Sequence, residues 1–244
     1  MNAEQWWTKV CTHSILPFYK ANAMVQIIHN TFQPLVGSDQ QIHKDLAPRL
    51  LHRFNCEEGY LLYPDVVPLI QRLRGNAQPG APRVVIGVIT NSDDRVPDVL
   101  TALGLRVNAF RFGHERADKP SYTQQHDIDF TVLSYDVGYE KPDKRIFAAA
   151  EDMLKADPTA ADTDPASWDK VYIGDEYAKD VVGALDAKWN AVLIDRENPG
   201  DREDVYWLDA RGPGSLSRAF EEADGRAVGF SSLAKLAQWL PRNA

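Results

Sequence analysis

Three short stretches hold residue types that could do chemistry, and each follows an apolar run or opens a helical pattern. Thr90-Asn91-Ser92 comes directly after Val84–Ile89. A hydroxyl and free backbone amides at a strand-to-helix turn suit a phosphate oxygen. Taken alone, the plainer reading is that Asn91 or Ser92 caps the next helix. Gly174-Asp175-Glu176-Tyr177-Ala178-Lys179-Asp180 follows Val171-Tyr172-Ile173. A glycine lets the chain turn sharply there, so Asp175 and Asp180 can project from a strand end. Mg²⁺ takes one or two protein carboxylates and completes its shell with water and substrate phosphate oxygens. The competing reading is an acidic first turn that complements a helix macrodipole. In Gly138-Tyr139-Glu140-Lys141-Pro142-Asp143, the proline can hold Lys141 so that its ammonium faces a phosphate. Lysines are ordinarily solvated, so Lys141 draws its weight from the other two stretches.

Those residues need a scaffold, and the apolar pattern supplies one. In parallel α/β sheets ligands gather at the carboxyl ends of strands. Val84–Ile89 is a continuous β-branched run, as expected of a strand buried on both faces. Val96, Val99, Leu100 and Leu103 then mark a helix closed by Gly104. The alternation continues with a strand at 131–134 and a helix at 142–155 with Ile146, Ala150, Met153 and Leu154 inward. It goes on with a strand at 171–173, a helix through Ala178, Val181, Val182 and Leu185, and a strand at 191–194. Leu233, Leu236, Ala237 and Leu240 give a C-terminal helix. This alternation predicts a parallel sheet with right-handed crossovers.

Residues 1–78 read differently. Apolar clusters fall at helical spacing: Trp6, Trp7 and Val10; Met24, Ile27, Ile28 and Phe32; Leu46, Leu50 and Leu51. Val66, Leu69, Ile70 and Leu73 repeat at i, i+3, i+4 and i+7, with Gly75 at the C-terminal position. The first third is expected to be an all-helical unit, separated from residues 79–244 by the breaker stretch Gly75–Gly80. Polar stretches at 111–126 and 157–169 read as surface loops.

Composition narrows the function classes. The 244 residues are 44% hydrophobic and 25% charged, as in ordinary globular chains. A net charge of −8 argues against a nucleic-acid-binding face. No apolar run reaches the roughly 18 residues of a membrane span, and the first residues lack a secretory signal. A soluble, cytoplasmic protein is expected. Cys11 and Cys56 are too few for a disulfide scaffold or a cysteine-based zinc site, and the six histidines match no standard ligand spacing. All are read as structural.

In this order, the three stretches resemble motifs II, III and IV of the haloacid dehalogenase-like (HAD) hydrolase superfamily. The matches are Val88-Ile89-Thr90-Asn91, Gly138–Phe147 and Val171–Asp180. Tyr63–Leu69 is similar to the family's return from its helical cap into the core. The resemblance implies a Rossmann-like, three-layer α/β core over 79–244 and a helical cap over 1–78. It implies a Mg²⁺-dependent phosphatase acting on a small phosphorylated metabolite through an aspartyl-phosphate. Thr90, with the amide of Asn91, would hold a phosphate oxygen, and Lys141 would neutralise charge on the nucleophile and phosphoryl group. Asp175 would ligate Mg²⁺, with Asp180 supporting the metal site.

The family's motif I, an Asp-x-Asp-x-Thr strand ending in the nucleophile, should precede the cap and lie centrally, between the strands of motifs II and IV. This sequence starts inside what reads as the first cap helix. We therefore expect a shortened chain or an incomplete gene model, inactive without that strand, with two strands left to expose their edges or pair together. Asp127-Ile128-Asp129-Phe130-Thr131 matches the pattern literally but comes after motif II and follows polar residues, so it is rejected. A non-catalytic binding or regulatory protein and a haloacid dehalogenase are the alternatives. A dinucleotide-binding enzyme is disfavoured because no Gly-x-Gly-x-x-Gly follows any strand.

Overall fold

A computed structural model describes residues 17–36, 40–75, 84–114, 126–156 and 167–240. The cluster Trp6, Trp7 and Val10, Cys11 and most of both polar stretches lie outside the described residues. The chain divides into two compact units, residues 1–61 with 95–104, and residues 62–94 with 105–244. This division differs from the boundary expected at residue 78.

The first unit is helical where described. Helix α1 (Pro17–Phe32) runs into a short turn at Gln33–Leu35, and α2 (Leu46–Asn55) packs against α1. Ile28 and Ala47 are buried. Arg53 sits in the last turn of α2, where its positive charge complements the helix dipole. A tight turn at Glu57–Gly59 follows and packs against the later helix whose bounds are Val96–Ala102.

The second unit begins with α3 (Val66–Arg74), whose Leu69 and Ile70 are buried as the spacing predicts. Leu69 joins the core cluster of Val192, Ile194 and Phe230, which is why this helix belongs with the α/β unit. Strand β1 (Gly87–Thr90) pairs in parallel with β2 (Phe130–Leu133), in the register Gly87↔Phe130 to Thr90↔Leu133. The helix at Val96–Ala102, of the first unit, is α4 in chain order. A single helical turn, α5 (Ser134–Val137), ends at Gly138 in the left-handed conformation that favours glycine. Helix α6 (Lys144–Lys155) follows, with Ile146, Ala150, Met153 and Leu154 buried as expected.

Strand β3 (Val171–Gly174) leads through a π-helical turn (Tyr177–Val181) into α7 (Val182–Asp186). Then come β4 (Asn190–Ile194), β5 (Val205–Trp207), α8 (Leu216–Ala223), β6 (Ala227–Phe230) and α9 (Leu233–Ala237). The four strands form a parallel sheet in the order β3-β4-β6-β5. Along β4, Ala191 and Leu193 enter one core cluster with Ile146 and Phe147, while Val192 and Ile194 enter the other with Leu236. Helices therefore cover both faces of the sheet, giving the three-layer α/β architecture expected from the alternation.

Several local readings differ from this outcome. The first strand spans 87–90 rather than 84–89. Ile86 is instead held by Asp129, whose carboxylate accepts from the Ile86 amide (2.8 Å) and whose amide donates to the Ile86 carbonyl (2.7 Å). Strand β2 starts one residue early, and Ser134 already belongs to α5. Arg111 is not loop surface: it makes two hydrogen bonds of 2.6 Å to the buried Asp136 carboxylate and pairs with Thr131 on the outer side of β2. Both carboxylates of the rejected Asp-x-Asp match are held by arginines, Asp127 by Arg106 and Asp129 by Arg74.

The strands form two sheets rather than one. Among the described residues, β1 has a strand partner only in β2, β3 only in β4, and no strand joins the pairs.

Candidate active site

β1 and β3 deliver their carboxyl ends to the same place. Thr90 closes β1, half-buried, and the chain leaves the sheet through Asn91. The Asn91 side chain does not cap α4, which begins at Val96 behind Arg95. It clamps the main chain of Lys141 instead: its Oδ1 accepts from the Lys141 amide (2.6 Å) and its Nδ2 donates to the Lys141 carbonyl (3.0 Å). The Ser92 carbonyl accepts from the Tyr135 amide and the Ser134 hydroxyl, fixing the turn from the β2 side.

Lys141 thus enters from a loop anchored at both its amide and its carbonyl. The cis Lys141–Pro142 bond leads into α6, whose N-cap is Asp143. A hydrogen bond from Arg145 holds the Asp143 carboxyl down at about 2. Gly183 on α7 lies so close to this loop that a Cβ there would sit 3.0 Å from Pro142 Cα.

The Lys141 ammonium points inward. Its Nζ donates to Asp180 Oδ1 (2.6 Å) and to the Tyr172 hydroxyl (2.7 Å). The Tyr172 hydroxyl in turn donates to the carbonyl of Ile89 on β1 (2.9 Å). Burial, reinforced by the Asp180 charge, pushes the Tyr172 phenol well above its ordinary range, so it stays a donor. A side chain from β3 therefore supplies the hydrogen bond that a neighbouring strand would give β1.

Asp180 is 3% exposed and fully engaged. Its second oxygen accepts from the amides of Asp175 (3.1 Å) and Glu176 (2.9 Å), closing the turn after β3. A Cβ on Gly174 would fall 2.3 Å from that oxygen, so this turn requires glycine. With three donors on its carboxylate, Asp180 spends most of its acceptor capacity on the protein itself. Asp175 differs: its side chain is exposed, and among the described residues it makes no hydrogen bond or ion pair. Glu176 is paired with Lys179 at 2.8 Å.

Of the residues singled out from the sequence, Asn91, Lys141, Asp180 and the backbone of Asp175 are thereby linked in one chain of contacts, and Thr90 joins it only as the neighbour of Asn91 along β1. One free hard-oxygen donor at a strand end meets the minimum protein contribution for Mg²⁺, which fills the rest of its shell with water and substrate oxygens. Sequence reasoning missed Tyr172 and the Asn91 side chain. A tyrosine in an otherwise apolar strand was the available signal for the first. Nothing in the sequence pairs Asn91 with a backbone fifty residues away.

Known proteins agree with this architecture. An uncharacterised hydrolase of Schizosaccharomyces pombe is 26% identical over 80% of this chain and 64% of its own length. An uncharacterised protein of Saccharomyces cerevisiae is 28% identical over 80% of this chain and 51% of its own. Haloacid dehalogenase-like hydrolase domain-containing protein 3 of Bos taurus is 23% identical over 82% of this chain and 60% of its own. The chain thus spans between about half and two-thirds of the curated relatives it matches. Among solved structures, a dehalogenase with an intermediate complex superposes with a TM-score of 0.56 at 17% identity, covering 97% of this chain and 78% of that one. That likeness concerns the fold. Residues 18–187 match the family model of haloacid dehalogenase-like hydrolases, and the chain belongs to that family.

Proposed function

We propose that this chain carries the phosphate-facing and metal-facing half of a phosphatase site for a small phosphorylated metabolite. The observation that carries the reading is the Asn91–Lys141–Asp180–Asp175 chain at the carboxyl ends of β1 and β3. Thr90 and the Asn91 amide bind phosphate oxygens in this reading. Lys141 places a fixed positive charge beside them, as phosphoryl transfer by positioning and electrostatics requires. Asp175 would hold Mg²⁺, which when bound neutralises phosphoryl charge. Asp180 keeps the Lys141 ammonium and the Asp175 turn in place. The helical unit is proposed to act as the cap that selects the substrate.

In this reading the nucleophile is the first aspartate of an Asp-x-Asp pair brought beside Thr90 and Lys141. Attack of its carboxylate on phosphorus would form the aspartyl-phosphate as the substrate's P–O ester bond breaks, and the second aspartate would give its proton to the departing oxygen. Asp175 favours this reading over metal-independent dehalogenation, because a free carboxylate at the strand end serves a cation. A non-catalytic binding role is the second reading, favoured by the commitment of Lys141 to Asp180 and Tyr172.

The test is phosphate release from an aryl phosphate with Mg²⁺, using this chain and a version extended upstream by an apolar strand ending in Asp-x-Asp. Turnover only in the extended protein supports the phosphatase. Folded extended protein with no turnover leaves the binding role, and metal-independent release of halide from a chloroacid would establish the dehalogenase. By calorimetry, Asp175→Asn should weaken Mg²⁺ binding to the extended protein. Unchanged affinity would remove Asp175 from the metal site.

A further inference from the structure

The helical unit holds a second cluster of ligating groups, independent of the strand-end site. α2 ends at Asn55, and the chain reverses through Cys56 and the turn Glu57–Gly59. This reversal gathers His52, Cys56 and Glu58, each offering one ligand atom, all within 4.8 Å of one another. Among the described residues, none of the three side chains has a hydrogen bond or ion pair of its own. An imidazole, a thiol and a carboxylate therefore converge without partners among the described residues.

The turn that assembles them is held by other groups. Gly59 packs so tightly on α2 that a Cβ there would lie 2.3 Å from the Arg53 carbonyl oxygen. The Tyr60 hydroxyl donates to the Phe54 carbonyl (3.1 Å), satisfying one of the free acceptors at the helix end. The Tyr60 amide donates to the Glu57 carbonyl (3.1 Å). The backbone is thus organised before any ligand arrives, which lowers the ordering cost of binding. His52 and Glu58 are exposed and Cys56 is half-buried, so the side chains have room to close.

We propose that His52, Cys56 and Glu58 form a Zn²⁺ site, with water completing the tetrahedron. With Zn–ligand distances of about 2.0–2.3 Å, neighbouring donors lie roughly 3.5 Å apart, so the three atoms, now within 4.8 Å of one another, would draw closer on binding. Thiolate and imidazole select a borderline or soft ion over Mg²⁺. On binding, the Cys56 S–H bond breaks, its proton goes to solvent and a S–Zn bond forms, with no change of oxidation state. The spacing His-x-x-x-Cys-x-Glu matches no standard motif, because a helix end and a tight turn, rather than a knuckle, bring the ligands together.

The test uses the full chain, Co²⁺ as a spectroscopic probe, and Zn²⁺ competed against a chromophoric chelator. One Zn²⁺ per chain is expected, with a near-ultraviolet thiolate-to-metal band in the Co²⁺ form. Cys56→Ser should abolish the band, while Cys11→Ser keeps it. His52→Ala and Glu58→Gln should each weaken Zn²⁺ by at least about tenfold, since even outer partners of metal ligands are worth that much. Asp175→Asn should leave binding unchanged, and excess Mg²⁺ should not displace the ion, which separates this site from the strand-end carboxylate. Absence of stoichiometric Zn²⁺ binding would overturn the proposal. So would a band that survives Cys56→Ser, or an affinity indifferent to both His52→Ala and Glu58→Gln, with circular dichroism showing the variants folded.

Discussion

The α/β unit contains two parallel sheets held together by different means. Within β3-β4-β6-β5, neighbouring strands satisfy one another through backbone ladders, and β4 and β6 are buried along nearly their whole length. Between β1 and β3 there is no ladder among the described residues. Side chains take over: Tyr172 donates to the β1 carbonyl at Ile89, and Lys141 ties Tyr172 to Asp180. Asn91 fixes the loop that carries Lys141. The exposure pattern follows, with Ile173 on β3 38% exposed and Val192 beside it on β4 1% exposed. A ladder divides its free energy among many equivalent bonds, whereas a side-chain junction concentrates it in a few. The same few groups form the candidate active site, so stability and chemistry are coupled at the junction and separable elsewhere.

The most severe way to break this contrast is Lys141→Met. It leaves the buried Asp180 carboxylate without its cation, and breaking a buried pair costs about 3–5 kcal/mol. Urea unfolding should show that loss. A change within the roughly 0.5 kcal/mol of a surface substitution would mean the junction does not depend on the pair. Tyr172→Phe should cost less, about 1–3 kcal/mol, because it strands the Ile89 carbonyl and removes one acceptor from Lys141. A hydroxyl-deleting change that leaves the urea midpoint unmoved would show that water satisfies Ile89 equally well.

The smallest effect concerns the ion pair at the far end of β4, outside the junction. Arg196 makes two hydrogen bonds to Asp65 and holds its carboxyl below the ordinary 3.8. Because the folded value is depressed, this contribution is fully present above the unfolded value and fades as pH falls through the folded one. Asp65→Asn should therefore lower stability modestly near neutrality, where the contribution is fully present, and flatten the loss below pH 3.8, so that the two proteins converge in acid. An unchanged acid profile would show that other carboxylates carry that limb.

The gap between legible and illegible features follows the range of the interactions. Val88–Ile89, Val171–Ile173 and Ala191–Ile194 are legible as strands because each belongs to a continuous apolar run rich in β-branched residues, although only β4 is buried along nearly all of it. The helix after Asp143 was readable from its 3.6-residue spacing. The alternation does not predict β5, α8 or β6. Val205-Tyr206-Trp207 and Ala227–Phe230 are three or four residues long, and only pairing between distant strands makes them strands. Type and spacing single out Lys141, Asp175 and Asp180, but they do not distinguish the engaged carboxylate from the free one.

The sequence by itself determined the alternating α/β order, the inward faces of the helices and the residue types at each strand end, because these depend on periodicity and on local turn chemistry. Only the tertiary structure decided that the strands form two sheets, that Tyr172 bridges them, and that Asp180 is consumed by Lys141 and two amides while Asp175 stays free. It alone gathers His52, Cys56 and Glu58 at the end of α2. Those outcomes depend on which donor meets which acceptor in three dimensions, and hydrogen bonds reward a match within a few tenths of an ångström that no linear spacing records.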